Sequence, residues 1–195
     1  MKQWLEQTYP NLFARAKKLK ATLYFADEAS FRSDSHRGTT WGAIGQTPVV
    51  EEHRGRFGIN CISAISAKGE MRFKCFEGQM NSDGFIDFLK ALHSDSGKPV
   101  FVIVDGASYH SSRKVKDYVK STEGKVELFK LPAYSPELNP DEQVWNQAKS
   151  RIGKIAIESK SMMRKVVLGA MRSIQKSKQL IQAFFKLEHT KYAQV

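Results

Sequence analysis

Residues 131–145 read LPAYSPELNPDEQVW, downstream of two apolar runs that each end in an aspartate, ATLYFAD at 21–27 and PVFVIVD at 99–105. Five consecutive apolar residues before Asp105 spell a buried strand, and an acid closing such a strand faces the cleft beyond the sheet edge where ligands collect. Within 131–145 a proline-bearing turn gives way to a helix start near Pro140, after which Trp145, Ala148 and Ile152 recur at spacings of three and four. Glu142 lies three residues before Trp145, on the helix side that meets the sheet. Asp27, Asp105 and Glu142 are thereby aimed at one place.

Working outward, RFGINCISAIS (56–66) and KGEMRFKCFEG (68–78) read as a hairpin turning near Lys68 and Gly69. Asn81 or Ser82 can cap a helix whose Phe85, Phe88, Leu89 and Leu92 recur at helical spacing. Residues 112–121 read as a further helix and KVELFKL (125–131) as a fifth strand. A last helical region places Met163, Val166, Val167, Ala170 and Ile174 on one face. Strands first and strand–helix alternation afterwards predict an α/β fold, a mixed five-stranded sheet flanked by helices. We divide the chain into a basic amino-terminal helix or linker (1–20), a catalytic domain (21–152) and a basic helical extension of it (153–195).

Composition narrows the function classes. At 195 residues and 41% hydrophobic content the chain can bury a core of one domain. No apolar run nears the roughly 20 residues of a membrane span, and MKQWLEQTYP lacks a secretory signal's apolar segment, so a cytoplasmic protein is expected. In that setting Cys61 and Cys75, although able to meet across the hairpin, read as reduced packing residues. The net charge of +11 is uneven: from Lys149 onward eleven Lys or Arg oppose two Glu, residues 1–20 carry five against one, and the middle is slightly acidic. Basic ends around a carboxylate-bearing centre suit phosphate contact beside a cation site, although Lys-rich helix faces are also simply well solvated.

Each acid has a plainer reading. Asn139-Pro140-Asp141-Glu142 is also a capping box, with Asn139 as cap, Pro140 first in the helix and Glu142 reaching back. Asp27 also reads as a strand-terminating turn acid, and neighbouring Glu28 competes for its role. Asp105-Gly106 also reads as an ordinary turn. His110, five residues beyond Asp105, either touches a phosphate or nucleophile or serves as a packing residue. Taken together, hard oxygen ligands suit a pair of magnesium ions, with manganese as substitute, and such a pair supports phosphodiester chemistry.

FADE (25–28) with SFR (30–32), VIVDGASYH (102–110) and LPAYSPELNPDEQVW together resemble the bacterial insertion-sequence transposases related to mariner elements, the insertion sequence 630 family. SPELNP is the most specific of these motifs, and TTWGAIGQTPVV (39–50) adds to them, so the resemblance covers most of residues 20–152. It implies an RNase H-like, retroviral-integrase-like fold with an Asp-Asp-Glu triad mapping onto Asp27, Asp105 and Glu142. Asp141 departs from the pattern, standing where relatives usually carry an apolar residue. The implied activity is metal-dependent DNA cleavage at transposon ends, followed by strand transfer of the 3′ hydroxyl into target DNA. Double-stranded DNA, as terminal inverted repeats and target, is the implied partner, bound by a dimer.

Such transposases carry an amino-terminal helix-turn-helix reader of the inverted repeats. Here the first catalytic strand begins by residue 21, and the reader is expected from a preceding segment or an upstream-frame product. Glu28, His110 and Asn139 are accessory candidates, and Arg32, Trp41, Lys149, Arg151 and Lys154 are candidates for touching DNA. Arg37, Arg54 and Arg56 add scattered positive charge, and Tyr134 is a further stacking candidate. Two rivals remain: another RNase H-like nuclease, and a DNA-binding remnant that no longer cuts.

Overall fold

The computed structural model describes residues 1–33, 44–46, 57–153 and 155–194. Five strands form one sheet in the order β3-β2-β1-β4-β5. They are β1 (Thr22–Arg32), β2 (Gly58–Ile65), β3 (Met71–Phe76), β4 (Val100–Val104) and β5 (Val126–Lys130). The first three pair antiparallel, whereas β4 joins β1 and β5 joins β4 in parallel, as expected of crossovers that pass through helices.

Two apolar cores explain why the sheet needs helices on both sides. Tyr24, Ala26, Val102 and Val104 pack against α2 (Ser82–Ser96) and α3 (Arg113–Ser121), where Phe85, Phe88, Leu89 and Leu92 are all at most 1% exposed. Burying each such side chain contributes about 2 kcal/mol. Phe25 and Ile103, one residue out of phase, pack on the opposite face against Val144 and Trp145 of α4 (Glu142–Ile152), Met163 and Val167 of α5 (Lys160–Lys176) and Ile181 of α6 (Lys178–Phe184). The helix caps are local and legible: Asn81 Oδ1 accepts from the Gly84 N–H at 2.8 Å, and Ser112 and Ser159 accept in the same way.

A π-helical turn (Trp4–Thr8) runs into α1 (Tyr9–Leu19). Trp4, Tyr9, Leu12 and Ala16 are buried in the second core, so the segment read as a linker docks onto the same body as the sheet. In the last helical region Met171 joins Met163, Val167 and Ile174 as a buried residue, while Val166 and Ala170 pack only partly. Among the described residues no helix is long and apolar enough to cross a membrane.

The β2–β3 hairpin turns where expected, with Gly69 at φ +84°. A Cβ there would lie 2.7 Å from the Lys178 carbonyl oxygen at the start of α6. Gly69→Ala should therefore strain both turn and helix contact, at a cost of about 1–3 kcal/mol. Thermal unfolding followed by circular dichroism should show a melting temperature several degrees lower. Cys61 and Cys75 are direct partners across this hairpin and are joined as a disulfide, which corrects the reading of two reduced packing thiols: strand register brings the sulfurs together.

Candidate active site

β1 and β4 run parallel, with Phe25 opposite Ile103, so Asp27 lies level with Asp105, which follows the end of β4; β1 itself runs on to Arg32 beside β2, which corrects the reading of Asp27 as a strand-terminating acid. α4 starts above them. Its predicted capping box is not made: the Asn139 N–H donates to the Pro136 carbonyl at 2.9 Å, and the helix proper begins at Glu142 rather than at Pro140. Asn139 still works as a cap for the tight turn that precedes α4, because its Oδ1 accepts from the Asp141 N–H at 3.1 Å. Its Nδ2 lies 3.5 Å from the Ala26 carbonyl of β1, so this buried side chain ties the helix start to the strand end. Glu142 is left half-buried, and its carboxylate makes no hydrogen bond to a described residue.

The acids feel one another. Burial, then the Glu142 charge and more weakly that of Asp105, push Asp27 up from an ordinary 3.8 to about 7, against the hydrogen bonds it accepts from the Glu28 N–H and from Trp145. Glu28 is likewise pushed up to about 7 by burial and by the Asp105 and Asp27 charges. Its Oε1 is buried with no partner. Asp105 behaves oppositely: His110 and the Ala107 N–H hold it below the carboxylate range. The His110 Nδ1 lies 3.1 Å from Asp105 Oδ1, and the Ala107 N–H donates to that same oxygen at 3.0 Å. Asp27, Glu28, Asp105 and His110 line one small cavity of about 100 Å³.

His110 has the packing role read for it and a second role that the sequence reading did not name. It is buried against Phe85, with ring centroids 4.5 Å apart, and it orients an acid. Trp145, read only as core, also holds an acid: its Nε1–H donates to Asp27 Oδ2 at 3.0 Å while its ring packs edge-on to Phe31. Trp145→Phe keeps an aromatic ring beside Phe31 but removes the donor and part of the buried volume. Any metal-dependent cutting should then fall about 10-fold, with a melting temperature several degrees lower from the smaller ring, read from initial rates beside a melting curve.

Sequence reasoning missed Ser63, and it noted Asp141 only as a departure from the family pattern. Ser63 Oγ lies 2.8 and 2.7 Å from the two carboxyl oxygens of fully buried Asp141. The available signal was a serine inside the apolar run of β2 and a second acid at the helix start. Of the DNA-contact candidates, Arg32 is exposed at the end of β1, Lys149 is half-buried, and Arg151 is exposed and donates to Ser173 Oγ at 2.9 Å. Trp41 and Lys154 lie outside the described residues, as do Arg37, Arg54 and Arg56, while Tyr134 is fully exposed.

Neighbouring carboxylates, one of them with a buried oxygen that lacks a hydrogen-bond partner, fit a divalent metal in their donor chemistry. Among the described residues, however, no three acidic, histidine or cysteine side chains stand close enough to hold an ion as they are. The Asp105 carboxylate is engaged by His110 and the Ala107 N–H.

Residues 22–164 match the family model described as DDE superfamily endonuclease. The Tc3 transposase of Caenorhabditis elegans is 30% identical over 131 residues, which cover 62% of this chain and 39% of that protein. The chain thus spans about two fifths of the length of that curated relative. Among solved structures, the Mos1 mariner paired end complex with Mn superposes with a TM-score of 0.71 at 16% identity, over 97% of this chain and 60% of that one. The catalytic domain of Mos1 mariner transposase superposes with a TM-score of 0.61 at 13% identity, over 99% and 94%. These likenesses show the RNase H-like fold expected from the sequence, and with the match over 22–164 the chain belongs to the DDE superfamily endonucleases.

Proposed function

We propose that this chain is the catalytic part of a transposase that cuts DNA at transposon ends and joins the freed 3′ hydroxyl to target DNA. One observation carries the reading: Asp27, Asp105 and Glu142 come from three elements, and Asp27 lies near enough to the other two for both of their charges to raise its proton affinity. These three acids would hold two magnesium ions, with manganese as substitute, and Glu28 stands beside them. When bound, the metals supply activation of water or of a 3′ hydroxyl and stabilisation of the leaving oxygen.

The chain's own residues do the rest. Trp145 and the Glu28 N–H orient Asp27, His110 and the Ala107 N–H orient Asp105, and Asn139 fixes the turn from which Glu142 projects. Basic residues at both ends of the chain, Lys149 and Arg151 among them, supply phosphate contacts that fix position without reading bases. Inverted-repeat reading belongs to a helix-turn-helix partner segment, and the working form on DNA is a dimer. The motifs carried by 131–145 favour the bacterial insertion sequence 630 type, acting at the nucleoid.

Nicking of labelled duplex DNA with manganese tests this reading. Metal-dependent nicking is expected, with weak binding that shows little sequence preference. No nicking at any manganese concentration would favour a remnant that only binds, and preference for an RNA–DNA hybrid would favour a ribonuclease.

A further inference from the structure

Asp141 sits one residue before Glu142 and has 0% solvent exposure. An acid is costly to bury, and this one has no cation beside it among the described residues; its electrostatic neighbours are Asp27 and Glu142. Burial alone does not ask for an acid, because an apolar side chain can occupy a fully buried position without the desolvation cost. Its bonds do have a pattern. Both carboxyl oxygens rest on Ser63 Oγ of β2, also 0% exposed. Ser63 is the direct cross-strand partner of Asp27, whose own backbone N–H donates to the Asp141 carboxyl. The Asp141 N–H in turn donates to Asn139 Oδ1. One side chain thus ties the first residue of α4 to both strands at the point where Asp27 emerges.

We infer that Asp141, through Ser63 and the Asp27 backbone, is a positioning residue that fixes the Glu142 carboxylate relative to that of Asp27, so that both address one divalent cation. This rests on the transposase reading above. Asp141 touches neither DNA nor metal; it sets the geometry of two residues that do. Loss of such an outer partner weakens metal binding by about 10- to 100-fold in comparable sites.

A double substitution separates positioning from stability. Removing both members of the Ser63–Asp141 pair leaves only the Asp27 N–H without its acceptor, so Ser63→Ala/Asp141→Val should melt several degrees below the unsubstituted protein while staying folded. Manganese binding to the full chain without DNA, measured by calorimetry, should nevertheless weaken about 10-fold or more. Asp141→Asn, which still accepts from Ser63, should retain most of the affinity. Wild-type manganese affinity in the double variant would overturn the inference. Should the double variant not fold, Ser63→Ala alone decides by the same affinity criterion. If the unsubstituted chain binds manganese but does not nick DNA, the transposase reading fails while the binding comparison still decides the role of Asp141.

Discussion

Glu142→Gln and Asp105→Asn should each lower metal-dependent DNA nicking by about 1000-fold or more, equivalent to ~4 kcal/mol of barrier. The reasoning is electrostatic. Two divalent ions bring four positive charges, and removing one of three carboxylates costs charge balance and a ligand together. Both substitutions are close to isosteric and fall on side chains that are half-buried or partly exposed, so the fold should survive. DNA affinity by fluorescence anisotropy should change less than about threefold, because phosphate contacts come from the basic ends. Cutting at a normal rate by either variant removes that acid from the site.

Asp27→Asn should also abolish cutting, yet it should make the metal-free protein more stable above neutral pH. The folded state keeps the Asp27 proton up to about 7, whereas the unfolded chain releases it near 3.8. A raised carboxylate of this kind stabilises fully below about pH 4. That contribution is lost as pH rises through 7, leaving a charge pressed against Glu142. Neutralising the group should recover on the order of 3 kcal/mol at pH 8, or roughly 5 °C or more in melting temperature. At pH 4 the two proteins should melt together. Magnesium should raise the melting temperature of the unsubstituted protein at pH 8 and leave the variant almost unmoved. Glu28, raised in the same direction, keeps some pH dependence in the variant. Equal melting of both proteins at pH 8 without metal would mean that Asp27 is not held in a crowd of acids.

These two outcomes belong together, since a site that stores mutual repulsion for a cation is less stable without it. His110 and Trp145 temper that repulsion by donating to Asp105 and Asp27.

The periodic elements were legible because their signals are local. The hairpin turn at Lys68 and Gly69, helical spacing in α2, and the cap at Asn81 each follow from a few neighbouring residues. Asp105 and Glu142 were legible because a strand end and a helix start can be read one at a time; Asp27 was picked out at the end of an apolar run although β1 continues to Arg32, and the register of β1 against β4 sets it level with Asp105. The turn before α4 was read one step too simply. The Asn139 N–H has a partner in Pro136, so Glu142 is not drawn back into a capping box. Ser63, Asp141 and the polar edge of Trp145 were hidden for a different reason: their roles depend on contacts across 78 and 118 positions of sequence, which no spacing rule encodes. The disulfide was misread because compartment was weighed above strand register.

The most direct measurement is a crystal structure of the chain grown with manganese, with the ions located by anomalous scattering. The account predicts manganese about 2 Å from carboxylate oxygens of Asp27, Asp105 and Glu142, with Asp105 turned from its present contact with His110 towards Asp27. Manganese found only elsewhere on the protein, with Asp105 still facing His110 and Glu142 free, would contradict it.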